Sequence, residues 1–127
     1  MCTGNSARSQ MAEGLANFFG KGRIQAFSAG IRPSALSPYA VRAMAEIGVD
    51  ISSQRAKDVK EFLGQPFDYI ITLCDSARQS CPVFSSNAKR LHWDITDPVD
   101  VKGTEEDILL AFRQARDKIK SRIKTEI

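Results

Sequence analysis

A chain of 127 residues, 43% hydrophobic and 26% charged, fits one domain spanning residues 1–127 with a buried core. Its net charge of +3 is too mild to point to nucleic acid and suits a small anionic ligand. No apolar run reaches membrane-spanning length and no signal-peptide pattern opens the chain, so a cytoplasmic protein with no membrane partner is expected.

Residues Cys2-Thr3-Gly4-Asn5-Ser6-Ala7-Arg8-Ser9 set a cysteine, five residues, an arginine and a serine in a row. That is the spacing of an oxyanion-binding loop. Small residues from Thr3 to Ala7 let successive N–H groups point inward as an anion nest. A helix starting near Arg8 aims its positive end at the same point. Arg8 offers a planar fork for a tetrahedral oxyanion. In that field the Cys2 thiol ionises near neutral pH and becomes a nucleophile. A hydrogen bond from Ser9 lowers its pKa further. Taken alone, Arg8 reads better as a solvated cation at a helix start.

Helical spacing of Met11, Leu15, Phe18 and Phe19 predicts a helix over Ser9–Phe19, closed by Gly20 and Gly22. Ile24–Ala29 alternates as a strand. Ser37 caps a second helix, with Pro38 at its first position, Gly48 at its end and an apolar face of Val41, Met44, Ala45 and Ile47. Asp58–Leu63 reads as a short helix, and Tyr69–Leu73 as a strand of the buried parallel kind with Cys74 at its C-terminal end. Residues 75–87 form a Ser-rich loop that carries Cys81. Arg90–Trp93 is a further strand, followed by a loop with Asp97-Pro98. Thr104 caps the last helix with Asp107 at the capping-box position, and Ile108, Phe112, Ala115, Ile119 and Ile123 form its buried stripe.

Alternating strands and helices predict an α/β fold with a parallel sheet, where ligands bind beyond the C-terminal strand ends. Cys74 and Asp97 follow predicted strands and are placed to converge on the N-terminal loop. Asp97 is the candidate general acid for an oxyanion leaving group, although Asp-Pro is also an ordinary turn starter. The odd count of three cysteines argues against a static disulfide framework. Cys74 and Cys81 lack zinc-pair spacing, and His92 is the sole histidine. Two buried thiols remain an alternative to a disulfide relay with Cys2.

The run from Cys2 to Gly14 resembles the phosphate loop and first helix of low-molecular-weight protein tyrosine phosphatases, and more narrowly of the thioredoxin-coupled arsenate reductases built on that fold. Ser28-Ala29-Gly30, Thr72-Leu73-Cys74, Cys81-Pro82, His92-Trp93, Asp97-Pro98 and Gly103-Thr104-Glu105-Glu106 match the reductase pattern in order. The resemblance implies a three-layer α/β fold with a four-stranded parallel sheet. It implies that Cys2 attacks arsenate held by the loop and Arg8, that Asp97 protonates the leaving hydroxyl, and that Cys74 and then Cys81 carry the disulfide to thioredoxin. No bound organic cofactor is required, and a monomer is expected.

Some members of the family bind a potassium ion beside the loop, which implies ligands at Asn5, Glu13, Ser28 and Asp58. Many carry a further cysteine where this chain has Ala7, outside the three relay thiols. Relatives also place a short apolar strand before the loop, where this sequence has only Met1, so the first strand is expected to be absent from the sheet and the loop weakly anchored. Phosphate and sulfate share arsenate's shape and charge. A phosphatase acting on phosphate monoesters is therefore the alternative, and an oxyanion-binding domain without turnover a third reading. In the phosphatases aromatic residues usually follow the Asp-Pro pair; Val99 and Asp100 stand here, which favours the reductase.

Overall fold

The computed structural model describes Met1, residues 4–74 and residues 88–127. Three helices carry the packed core: α1 (Arg8–Phe19), α2 (Pro38–Ala45) and α3 (Glu105–Glu126). Two strands, β1 (Tyr69–Thr72) and β2 (Lys89–His92), pair in parallel with Ile70 opposite Arg90 and Thr72 opposite His92. Single 3-10 turns occupy Val59–Phe62 and Pro98–Asp100.

The helices form where the caps and spacing place them. Thr104 Oγ1 accepts from Asp107 N–H, while the Asp107 carboxylate accepts from Thr104 N–H, closing a capping box at the start of α3. Pro38 opens α2, although the side chain of the preceding Ser37 makes no capping bond. Gly14 lets α1 approach the segment after α2: a Cβ there would lie 2.5 Å from Ile51 Cγ2. Met11, Leu15, Met44, Ile51, Phe112 and Ile119 consequently pack into one core.

The inward faces differ in detail from the sequence expectation. Phe18 and Phe19 are 51% and 39% exposed, and Ala16 is buried in their place. Phe19 instead lies under the ammonium groups of Lys120 and Lys124, 4.9 and 5.4 Å from its ring centroid. On α2, Ala40, Ala43 and Met44 are buried while Ala45 is exposed. On α3, Leu109 is buried and Ile108 only partly so. These shifts run from one to three positions along a helix and turn its buried face slightly.

The sheet is the larger departure. Ile24–Ala29 joins no ladder, and among the described residues its only continuation is a parallel bridge between Gly30 and Asp58. A cavity of about 780 Å³ lies against it, lined also by Met1, β1 and Trp93. Among the described residues no strand pairs with 24–29; side chains hold this backbone instead, Asn17 at Ala26 and Glu13 at Ser28. Met1 begins such a pairing with β1. Its N donates to Ile71 O (2.6 Å) and its carbonyl accepts from Leu73 N–H (2.8 Å), bracketing Thr72 as a parallel neighbour does. No described helix is long and apolar enough to cross a membrane.

Candidate active site

Three polar anchors fix the segment from Gly4 into α1. The loop at 34–37 holds its outer side, where Ser34 N–H donates to Gly4 O and Ser37 N–H donates to Ser6 O, both at 2.8 Å. The inner side rests on Asn5, which is fully buried and left-handed at φ 49°. Asparagine tolerates that region better than most residues, and here its side chain is fully engaged. Its Oδ1 accepts from Lys57 N–H (2.8 Å) and Gln10 Nε2 (2.9 Å), and its Nδ2 donates to Ser9 Oγ (2.7 Å). Accepting there, the Ser9 hydroxyl keeps its own proton to donate elsewhere. Gln10 Nε2 also donates to Arg55 O, and Gln54 Nε2 holds Gln10 Oε1 at 2.7 Å.

Arg8 is the third anchor. It is 8% exposed at the first turn of α1. Nη1 donates to Leu73 O (3.2 Å) and Ile95 O (2.8 Å), and Nη2 pairs with Asp97 Oδ2 at 3.1 Å. Leu73 precedes Cys74 at the end of β1, and Ile95 follows β2. One guanidinium therefore draws together the start of α1, the C-terminal end of β1 and the Asp97 loop. Fork geometry suits Arg to this task, where a lysine would supply only a point charge. Asp97 is about one-third exposed, and its Oδ1 accepts from Val99 N–H at 3.0 Å. Its carboxylate is thus held at the site by Arg8 and by the 3-10 turn that it caps.

Ala7, at the N-cap of α1, supplies no side-chain cap, so the first-turn amides of the helix are not covered by their own cap residue. Gly4, Asn5, Ser6, Ala7, Arg8 and Ser9 all lie in this corner, with Cys74 half-buried at the end of β1. Cys2, Thr3 and Cys81 lie outside the described residues.

The potassium ligands implied by the resemblance assemble only in part. Glu13 Oε1 accepts from both Ser28 N–H (2.7 Å) and Ser28 Oγ (2.8 Å), and Asn5 is joined to this cluster through Lys57. Asp58 turns away: its carboxylate accepts from Lys60 N–H (2.9 Å) and caps the 3-10 turn in a capping box with Glu61. A cation already stands beside Glu13, since Lys57 Nζ lies 3.2 Å from Glu13 Oε1 and 2.8 Å from Arg55 O. With an ammonium among the oxygens and Asp58 elsewhere, the donor set does not fit a potassium ion.

Gln10, Gln54 and Lys57 are the residues that sequence reasoning missed. Gln10 left a trace, a polar residue beside the apolar stripe of α1 next to Met11. Gln54 and Lys57 left none, because their partners lie 44 and 52 residues away.

The family description "Low molecular weight phosphotyrosine protein phosphatase" matches residues 1–125. This chain belongs to the low-molecular-weight phosphatase family. Within it, the chain is 45% identical over 125 residues to a protein named arsenate reductase from Halalkalibacterium halodurans, covering 98% of this chain and 90% of that one. A solved structure described as an arsenate reductase in the phosphate binding state is 33% identical, with a TM-score of 0.77 and coverage of 97% and 89%. Another, in the oxidized state, is 32% identical with a TM-score of 0.81 and the same coverage. The α/β class expected from the sequence is therefore the family's own. The Arg8–Asp97 pair lies at the C-terminal ends of β1 and β2, the side on which open parallel sheets bind ligands.

Proposed function

We propose that this protein reduces arsenate to arsenite with thiols as the electron source. The observation that carries the reading is the Arg8 fork, which brings Cys74 and Asp97 to the N-terminus of α1. A phosphatase needs the acid and the arginine but has no use for a thiol at the end of β1. The relatives named arsenate reductase support the same choice.

The reaction runs as a relay in this reading. The Cys2 thiolate displaces one hydroxyl from arsenate held by the loop amides and Arg8, and Asp97 gives that hydroxyl the proton with which it leaves as water. The Cys74 sulfur then attacks Cys2. A sulfur–sulfur bond forms and the sulfur–arsenic bond breaks, with its electron pair staying on arsenic, which leaves as arsenite. Cys81 attacks Cys74, freeing the Cys2 thiolate and leaving a Cys74–Cys81 disulfide. Thioredoxin, as the external dithiol, returns that disulfide to two thiols. Before Cys2 attacks, the Asp97 carboxylate pairs with Arg8, and an arriving oxyanion competes for the same guanidinium.

The test is arsenite formation with thioredoxin, thioredoxin reductase and NADPH, beside hydrolysis of an aryl phosphate. Arsenate-dependent NADPH oxidation is expected. Cys74→Ser and Cys81→Ser each abolish it and leave any aryl phosphate hydrolysis intact. Normal thioredoxin-coupled turnover by Cys81→Ser overturns the relay, and hydrolysis without arsenate reduction assigns the protein to the phosphatases.

A further inference from the structure

We infer that the Lys57 ammonium is this protein's built-in substitute for a bound monovalent cation beneath the oxyanion loop. The inference stands on the geometry of that cluster and does not depend on which oxyanion reaction the protein performs.

Glu13 and Lys57 are buried together, with side chains 12% and 11% exposed. A carboxylate so placed needs a compensating charge, because an uncompensated ion in a low-dielectric site is strongly destabilising. The neighbouring donors, Ser28 N–H and Ser28 Oγ, satisfy hydrogen-bonding capacity on Oε1 but carry no charge. Lys57 Nζ supplies that charge at 3.2 Å and spends a second donor on Arg55 O at 2.8 Å. An ammonium is a compact point cation, so it takes the position of a small monovalent ion among oxygens more faithfully than a guanidinium would.

Lys57 also reaches the catalytic loop through its backbone. Its N–H donates to Asn5 Oδ1, and its carbonyl accepts from Gly30 N–H at 2.8 Å. The same residue therefore ties Glu13 on α1, Ser28–Gly30 and the left-handed Asn5 into one unit. A free ion would have to be recruited for this on each folding event. A side chain is always present, and its association costs no translational freedom. Lys57 is a positioning residue: it holds the support of the loop and touches no reacting atom.

The experiment compares thermal unfolding in about 0.1 M potassium chloride with about 0.1 M choline chloride, which matches ionic strength and so screens equally. The wild-type chain is expected to show the same Tm in both salts, within about 1 °C, and the same turnover. Lys57→Met leaves Glu13 without its counter-charge and is expected to lower Tm by about 10 °C in choline. Potassium is expected to restore part of that loss, because once the ammonium is removed it is small enough to neutralise Glu13 beside Arg55 O, where choline is too large. The double variant Glu13→Gln, Lys57→Met carries neither charge and is expected to unfold above Lys57→Met in choline, with no potassium response. Selective stabilisation of the wild-type chain by potassium overturns the inference, and so does a Lys57→Met protein as stable as wild type in choline. The wild-type comparison decides the matter even if Lys57→Met does not fold.

Discussion

On one side of α1, Met11 and Leu15 meet Met44, Ile51, Phe112 and Ile119, all at most 1% exposed. On the other, Ala12, Glu13 and Ala16 border a cavity of about 780 Å³ that reaches β1 and residues 24–29. The first side is held by close packing of apolar groups. The second is held by Asn5, Arg8, Glu13, Ser28 and Lys57 through directed polar bonds. The difference teaches a division of labour across a single helix. Apolar burial supplies most of the free energy, while directional bonds supply the geometry that an oxyanion site needs. An apolar contact tolerates a few tenths of an ångström of slip, whereas a donor aimed at a transition state does not.

The comparison breaks most clearly at Phe112. Its ring is 1% exposed and lies 5.6 Å from that of Tyr39 in the interface of α3 with α2. Phe112→Ala is expected to cost about 3–5 kcal/mol in urea unfolding. Turnover per folded molecule should change little, since no polar anchor of the loop rests on that ring. A large fall in kcat at full folding would mean that the packed side also sets the site's geometry.

Glu46 gives a smaller effect on the same helical side. It sits at the end of α2 and meets Arg113 (2.7 Å) and Arg116 (2.9 Å) of α3. The hydrogen bond from Arg113 is the leading cause that holds its carboxyl down to about 2 from 4.5, and partial burial opposes it. A depressed carboxyl contributes stability that is complete above about pH 4.5 and is lost as pH falls toward 2. Glu46→Gln should therefore lower Tm by a few degrees at neutral pH, while wild type and variant converge near pH 2. The loss stays well below that of Phe112→Ala, because Glu46 is about one-third exposed and solvent screens the pairs. A constant gap between the two proteins down to acid pH would show that the clamp acts by packing and not by charge.

Elements set by local chemistry were legible in the sequence. The Thr104–Asp107 box, Pro38 at the start of α2 and the apolar run ending at Cys74 each carry their signal within a few residues. The strand-end rule already placed Asp97 toward the loop that carries Arg8, and the structure joins the two at 3.1 Å. Residues 24–29 read as a strand but form none, because strand formation needs a neighbouring edge and, among the described residues, a cavity borders them instead. Asp58 also stands apart from Asn5, Glu13 and Ser28. Position in the chain could not reveal that Asp58 caps its own turn while Lys57 turns inward. Contacts made across many residues have no local period, so they stay silent until the fold is known.

The cavity side is expected to be the more forgiving of substitution, and Phe27 tests this at the smallest scale. Its ring is 50% exposed and lies 5.7 Å from that of Phe62 and 6.3 Å from that of Phe67. All three rings line the cavity. Removing a ring that is already half in water forfeits little transfer free energy, and the void that it leaves merges with open space. One tilted and one edge-on aromatic contact remain as the main loss. Phe27→Ala is therefore expected to cost under about 1 kcal/mol, a fraction of the Phe112 effect. Ala29, Val59 and Ile70 are buried beside these rings as a small second cluster. A loss above about 2 kcal/mol would show that this cluster folds as a true core, and that the two sides of α1 differ in size rather than in kind.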